Sequence, residues 1–464
     1  MLVVMFMLGL VSILGLVLTM RATTEARIGD NSESHMRAVY AALSGLEHAR
    51  MLARGIEFDA WLRGPDGVCD NTPAYRAEAR RFSFRLPVPV ATAQRLDIAA
   101  PLADLGATSD DGVPNTGLFS GSPGTELIPR LGIAQWAGPF PASRYFVKVA
   151  DNNGEASELA GDAGDDPFSD GDGIVIVRAV GVAGTFAEQV GANIRRNSVA
   201  VYESRLKRAA TWNLGAAMTV VGPAAAASFT GTPEIAGGDA VGIGVLDTAP
   251  DDGASPEAAL RAAAASGGTV SGGGLSEPSV RDLTAAARAD RDKAWLLDAS
   301  RLQGFATRDA PQAADRVYDG GQLWTASSTP PLGAYDKDLP WNAPSQAPRV
   351  TLVRGDLAAP DGLSGAGVLV VTGGLECAGT LDWRGLILVL GEGRLSLDAG
   401  GPGVAGGLVV GKLTGTGAGA AFGAPEIEIG GATKVTADRE LVRMALRLFP
   451  VERVGFREIA GIDP

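Results

Sequence analysis

The sequence predicts an α+β chain, with one long N-terminal helix followed by a β-rich body, and three observations predict it. Residues Met1–Met20 hold no charge and no proline. The next segment, Arg21–Arg54, keeps helical spacing while turning polar on most of its circumference. The remainder carries most of the 63 Gly and 27 Pro, and its apolar residues come in short runs closed by glycine, the pattern of strands and turns.

At ~1.5 Å per residue the first twenty residues span ~30 Å, enough to cross a bilayer core. Leu2, Val3, Leu8, Leu10, Leu14, Leu16 and Leu18 spread around the whole circumference, unlike a core helix with one wet face. No basic residue precedes the run and no small-x-small cleavage site follows it, so a retained anchor is expected. Arg21 and Arg27 alternate with Glu25 and Asp30, so charge does not orient it. Beyond it, Met36, Val39, Leu43 and Leu46 recur at spacings of three and four and predict an amphipathic continuation whose first stop is near Gly55.

These residues carry a resemblance. Leu2-Val3-Val4, Leu16-Val17-Leu18-Thr19-Met20-Arg21, Glu25-Ala26-Arg27-Ile28, Asn31 and the run Ala41–Ala49 resemble the N-terminal region of PilX-type minor pilins of the type IV pilus system. The resemblance implies a helix that anchors the subunit in the inner membrane, then packs into the filament core. It implies a pilin-like antiparallel sheet against the amphipathic half. The family has a short basic leader cut by a prepilin peptidase, so a leader upstream of Met1, or already removed, is expected.

The expected organisation is a membrane or filament-core helix at 1–20, an amphipathic helix at 21–60 and a pilin-like β region at 61–215. An irregular Gly/Pro-rich region with short helices follows at 216–348, then a β-helix-like domain with a C-terminal helix at 349–464. In the third segment Phe82–Val90 reads as an edge strand, since its prolines exclude a central place. Ala107–Gly124 reads as loop, and Tyr145–Val149, Ile174–Val180 and Glu188–Tyr202 read as strands. In the fourth, Pro256–Ala265 and Ser279–Asp292 read as helices.

The 349–464 segment repeats a unit. Val350–Leu357, Gly367–Gly373, Gly385–Gly391 and Gly407–Gly411 are apolar strands whose opening glycines at 367, 385 and 407 recur at rung-like intervals. Runs this uniformly apolar are buried on both faces, which favours stacked parallel coils, a short parallel β-helix, over a meander. Glu426–Ile429 reads as a further rung, and Asp438–Leu448 as a capping helix with Leu441, Met444, Ala445 and Leu448 on one face.

Composition narrows the function. A net charge of −13 argues against nucleic acid as a partner, because phosphate binding needs cations. Two cysteines, Cys69 and Cys377, are too few for a disulfide scaffold or a structural zinc site. In the loop after Tyr145–Val149, Asp165, Asp166, Asp170 and Asp172 supply oxygen ligands of the kind Ca²⁺ takes. Phe168 and Ala179 stand where an EF-hand needs its end ligands, so a solvated hairpin loop is favoured and calcium is the alternative. No other cofactor is expected.

The only histidines, His35 and His48, lie on the N-terminal rod, which removes Ser-His-Asp and Cys-His sites from the body. Glu376, Asp382, Arg384, Glu392, Arg394 and Asp398 are the residues a glycan-cleaving β-helix would use; solvated turn positions explain them as well. Gly415–Ala420 fits a dinucleotide-loop pattern without the helix that should follow. No catalytic residue is assigned, and no enzyme is expected. The resemblance implies a structural subunit for pilus assembly, priming or tip adhesion, whose partners are other pilins and minor pilins, the inner membrane and the assembly machinery. It is expected as a single-pass inner-membrane protein with a periplasmic body, or at the pilus surface after assembly. A membrane-tethered β-helix protein that binds or cleaves glycans is the rival.

Overall fold

The computed structural model describes residues 2–55, 58, 62, 119–120, 143–152, 173–183, 198–208, 212, 215–250, 253, 255–290, 293–339 and 345–459. The chain is α+β, with a long N-terminal apolar helix and a large, mostly parallel β-sheet domain. It divides into two units, one made of residues 1–208 and 451–464, the other of residues 209–450.

In the first unit a single helix runs Leu2–Leu52 and ends at Gly55, whose φ of 83° lies in the left-handed region that closes helices. Its sheet holds, in spatial order, Phe119–Ser120, Ser143–Asp151, Ile174–Ala183, Ser198–Arg208 and Val451–Glu458, all antiparallel. The two strands read around Tyr145 and Ile174 are therefore present and form a hairpin. Of the third, residues 188–197 lie outside the described residues, and the described strand Ser198–Arg208 runs past the expected end, its ladder with Ile174–Ala183 reaching Lys207. Phe119–Ser120, expected in a loop, is a short strand held by Phe146 and Val147. Phe82–Val90 and Cys69 lie outside the described residues.

In the second unit, 16 strands pair among the described residues, and one pairing, Lys412–Thr414 with Ala421–Gly423, is antiparallel. Long strands pair with more than one neighbour along their length. In Leu375–Gly391, residues 375–377 pair with Leu357–Ala359, residues 380–384 with Gly362–Ala366, and residues 385–389 with Gly367–Val371. The last of these stretches alternates cleanly. Leu369, Val371, Ile387, Val389, Leu408 and Val410 join one core, while Val368, Val370, Leu386, Leu388 and Val409 join another. The helices Ala299–Gly304 and Arg439–Leu446 supply the other side of that second core, which is why the strands read as continuous apolar runs.

The corner glycines do stack, in a corrected register. Gly367 pairs with Gly385, and Gly385 with Gly406 rather than Gly407. All three have φ between +117° and +134°. A Cβ on Gly385 or Gly406 would run into the carbonyl oxygen of the glycine one strand before it, so backbones at this corner meet with no room for a side chain.

Within 216–348, expected as irregular with short helices, the described residues also form parallel strands. Ala216–Gly222 pairs in parallel with Leu408–Gly411, and Val241–Asp247 and Val280–Asp282 continue the ladder outward. The helix Pro256–Ser266 is present, capped by Ser255, and sends Leu260, Ala263 and Ala264 into the inner core. Ser279–Asp292, expected as one helix, is the strand Val280–Asp282 and then the helix Thr284–Ala289, with Asp282 accepting the Thr284 N–H at 2.7 Å. Glu426–Gly431 adds a parallel strand as expected. Arg439–Leu446, with Asp438 as N-cap, packs on the flank of three long strands instead of closing the end of the stack. The tail Val451–Glu458, expected in the C-terminal domain, belongs to the first unit's sheet.

Candidate functional site

The helix Leu2–Leu52 has one half that, among the described residues, no other element covers. From Val3 to Met20 its large apolar side chains stand between 53% exposed, at Leu10, and 72%, at Met5. Val3, Leu8, Leu10, Leu14, Leu16 and Leu18 are all among them. In water each such side chain forgoes roughly 1.5–3 kcal/mol of burial, so this half is built for an apolar surrounding. Its hydroxyls fit the same setting. Ser12 and Thr19 donate to the carbonyls four residues back, at 2.9 and 2.8 Å, so neither needs an outside partner. By length and composition the helix suffices to cross a membrane.

The second half is docked, through a face the sequence pattern did not pick out. Met36 is 45% exposed, Val39 and Leu43 are half-buried, and of the expected stripe Leu46 alone is buried. The buried face is Ser34, Ala38, Ala41, Ala42, Gly45, Ala49 and Ala53, turned from that stripe by about one residue, or roughly 100°. Close approach selects it. A Cβ on Gly181 would strike the Ala38 carbonyl and come within 2.5 Å of the Ala42 nitrogen, and one on Gly45 would come 2.9 Å from the Tyr145 ring. Backbone lies nearly on backbone, and only small residues fit.

Polar pins fix the register of this seat. Ser34 Oγ donates to Ser198 Oγ at 2.8 Å, and His48 Nδ1 is hydrogen-bonded to the Tyr145 hydroxyl at 2.6 Å. Burial pushes the Tyr145 phenol up to about 12. Arg208 lies over the Phe58 ring at 4.3 Å from its centroid. On the neighbouring strands Arg178 and Glu203 form an ion pair with side chains 5% and 3% exposed. Burial lowers the Arg178 pKa, and the hydrogen bond to Glu203 works against that. Arg457 reaches the second Glu203 oxygen at 2.7 Å. Sequence reading missed this trio because its members lie far apart in the chain.

The second unit's candidates do not converge. Asp382 and Arg384 pair with each other at 3.9 Å, and Arg394 bridges Asp356 at 3.4 Å and Glu392 at 3.8 Å. Glu376 and Asp398 stand exposed on the ladder, at positions that pair with Ser396 and Ala378. The Gly415–Ala420 loop is the tip of the antiparallel pairing described above, and Gln303 holds it, donating to the Gly415 carbonyl at 2.7 Å and accepting the Gly417 N–H at 3.0 Å. That amide is therefore not open to a phosphate. Cys377 is a buried thiol pushed up to about 11 by burial, which suits a core residue and not a nucleophile. Asp165, Asp166, Asp170 and Asp172 lie outside the described residues. Among the described residues no cluster of metal-ligating side chains occurs.

Comparison with known protein families, with characterised proteins and with solved structures finds no match.

Proposed function

We propose that the chain is a structural subunit of the minor-pilin kind, inserted by its N-terminal helix into a membrane and then into a type IV pilus or a related pseudopilus. The observation that carries this reading is the division of one continuous helix into an exposed apolar half that none of the described residues covers and a docked half seated on an antiparallel sheet. Such a helix serves two surroundings in turn. Lipid satisfies the apolar half before assembly, and neighbouring helices satisfy it in a filament core. The body then faces outward for priming, assembly or adhesion.

In the same reading the long strands of the second unit are successive coils of a short parallel β-helix and its ladders are the faces of that helix. The regular pairing of Gly367 with Gly385 and of Gly385 with Gly406 supports coils over a flat sheet. The N-terminal resemblance to PilX-type minor pilins agrees with the split helix. The inner membrane, with the body in the periplasm, is the proposed place before assembly.

Shearing and purifying filaments tests the proposal. The chain is expected in the purified filament fraction as well as in the inner membrane. Its complete retention in the membrane contradicts incorporation.

A further inference from the structure

The chain leaves the helix-bearing unit after Arg208 and returns to it at Val451. These two residues are Cα partners in one antiparallel ladder, so the whole second unit occupies the place of a turn between paired strands. The returning strand, Val451–Glu458, is therefore made only after residues 209–450, and the helix it helps to seat is made before them.

Its contacts reach what the helix depends on. Val451 is buried, and the Phe456 ring stacks on Tyr202 at 5.4 Å between centroids. Ser204 Oγ donates to the Gly455 carbonyl at 3.1 Å, and the Ile459 N–H donates to the Val201 carbonyl at 2.9 Å. Arg457 supplies a second cation to the buried Glu203 carboxylate. Arg453 crosses to the helix itself, pairing with Glu47 at 3.6 Å, one residue before the His48–Tyr145 pin. The strand thus ties Ser198–Arg208 and the helix together from the far end of the sequence. A buried carboxylate deprived of one of its cations is costly to keep.

We infer that Val451–Glu458 is a completion latch: the docked half of the helix acquires its full hold on the body only when this strand joins the sheet, after residues 209–450 have been made. A truncated chain then presents its apolar helix on a loosely seated body, while a complete one presents it on a rigid seat. The inference rests on the pairing of the sheet and not on the proposed pilin role.

The test uses the full-length protein in detergent micelles and follows amide exchange over residues 38–53. In Arg457→Glu these amides are expected to exchange at least about tenfold faster than in the parent, and in the milder Arg457→Gln by an intermediate factor, with Leu386–Leu390 of the second unit unchanged. A second measurement places a protease site between residues 208 and 215 of the full chain. After cleavage the two fragments are expected to stay together in the parent and to separate in Arg457→Glu. Unchanged exchange in Arg457→Glu, equal loosening of Leu386–Leu390, or separation of the parent fragments on cleavage each overturns the inference.

Discussion

The two halves of the N-terminal helix obey opposite rules. Between Val3 and Met20 the apolar side chains are mostly large and exposed, while between Ser34 and Ala53 the inward side chains, Leu46 apart, are small and buried. The first half is long and apolar enough for a bilayer, where what matters is that no polar group goes unmet. The second is written for distance, where what matters is that helix and sheet backbones come nearly into contact at Gly181. Hydrophobicity decides where the first half goes, and size decides how the second is held.

The largest effect is expected from breaking the first rule. Leu14→Asp places a carboxylate at mid-helix and costs about 3 kcal/mol of insertion, which membrane fractionation of the full chain reads as loss from the pellet. Breaking the second rule comes next. Gly181→Val drives a branched side chain into the Ala38 carbonyl, and a loss of about 1–3 kcal/mol or more is expected in the denaturation midpoint of the helix-bearing unit, with insertion retained.

Titration sharpens the contrast within the docked half. The Tyr145 phenol is raised to about 12 in the folded chain, against an ordinary value near 10. The unfolded state therefore loses its proton first as pH rises, so the stability linked to Tyr145 is complete below about pH 10 and is lost progressively up to about 12. Denaturant midpoints across that range should show this loss in the parent and a smaller one in Tyr145→Phe. The smallest effect belongs to Met36, whose exposure predicts that Met36→Ser stays within about 0.5 kcal/mol, measured by the same midpoints.

The contrast also explains what the sequence could show. The apolar half was legible because twenty residues without a charge admit few readings, and Gly367 and Gly385 because each opens an apolar run; in the Gly406-Gly407 pair the same signal fell one residue late. The docking face was not, since alanine and glycine carry almost no hydropathy signal; the larger Met36, Val39 and Leu43 drew the stripe to their side. Ala216–Gly222 and Val241–Asp247 escaped for the same reason, their runs being diluted by Ala and Gly. The partnership of Val451–Glu458 with Ser198–Arg208 is set by pairing across the length of a whole unit, which no local pattern encodes. Arg457 meets Glu203 through that pairing and was hidden with it, while Arg178 meets Glu203 across the neighbouring ladder with Ile174–Ala183.

A cysteine scan along residues 3–53 of the full-length, membrane-embedded chain, read with a membrane-impermeant thiol reagent, tests the division of the helix most directly. Protection is expected throughout positions 3–18. Beyond them it is expected at 38, 42 and 49, with rapid labelling at 36 and 40. Labelling at 42 together with protection at 36, or free labelling at 8 and 14, would contradict it.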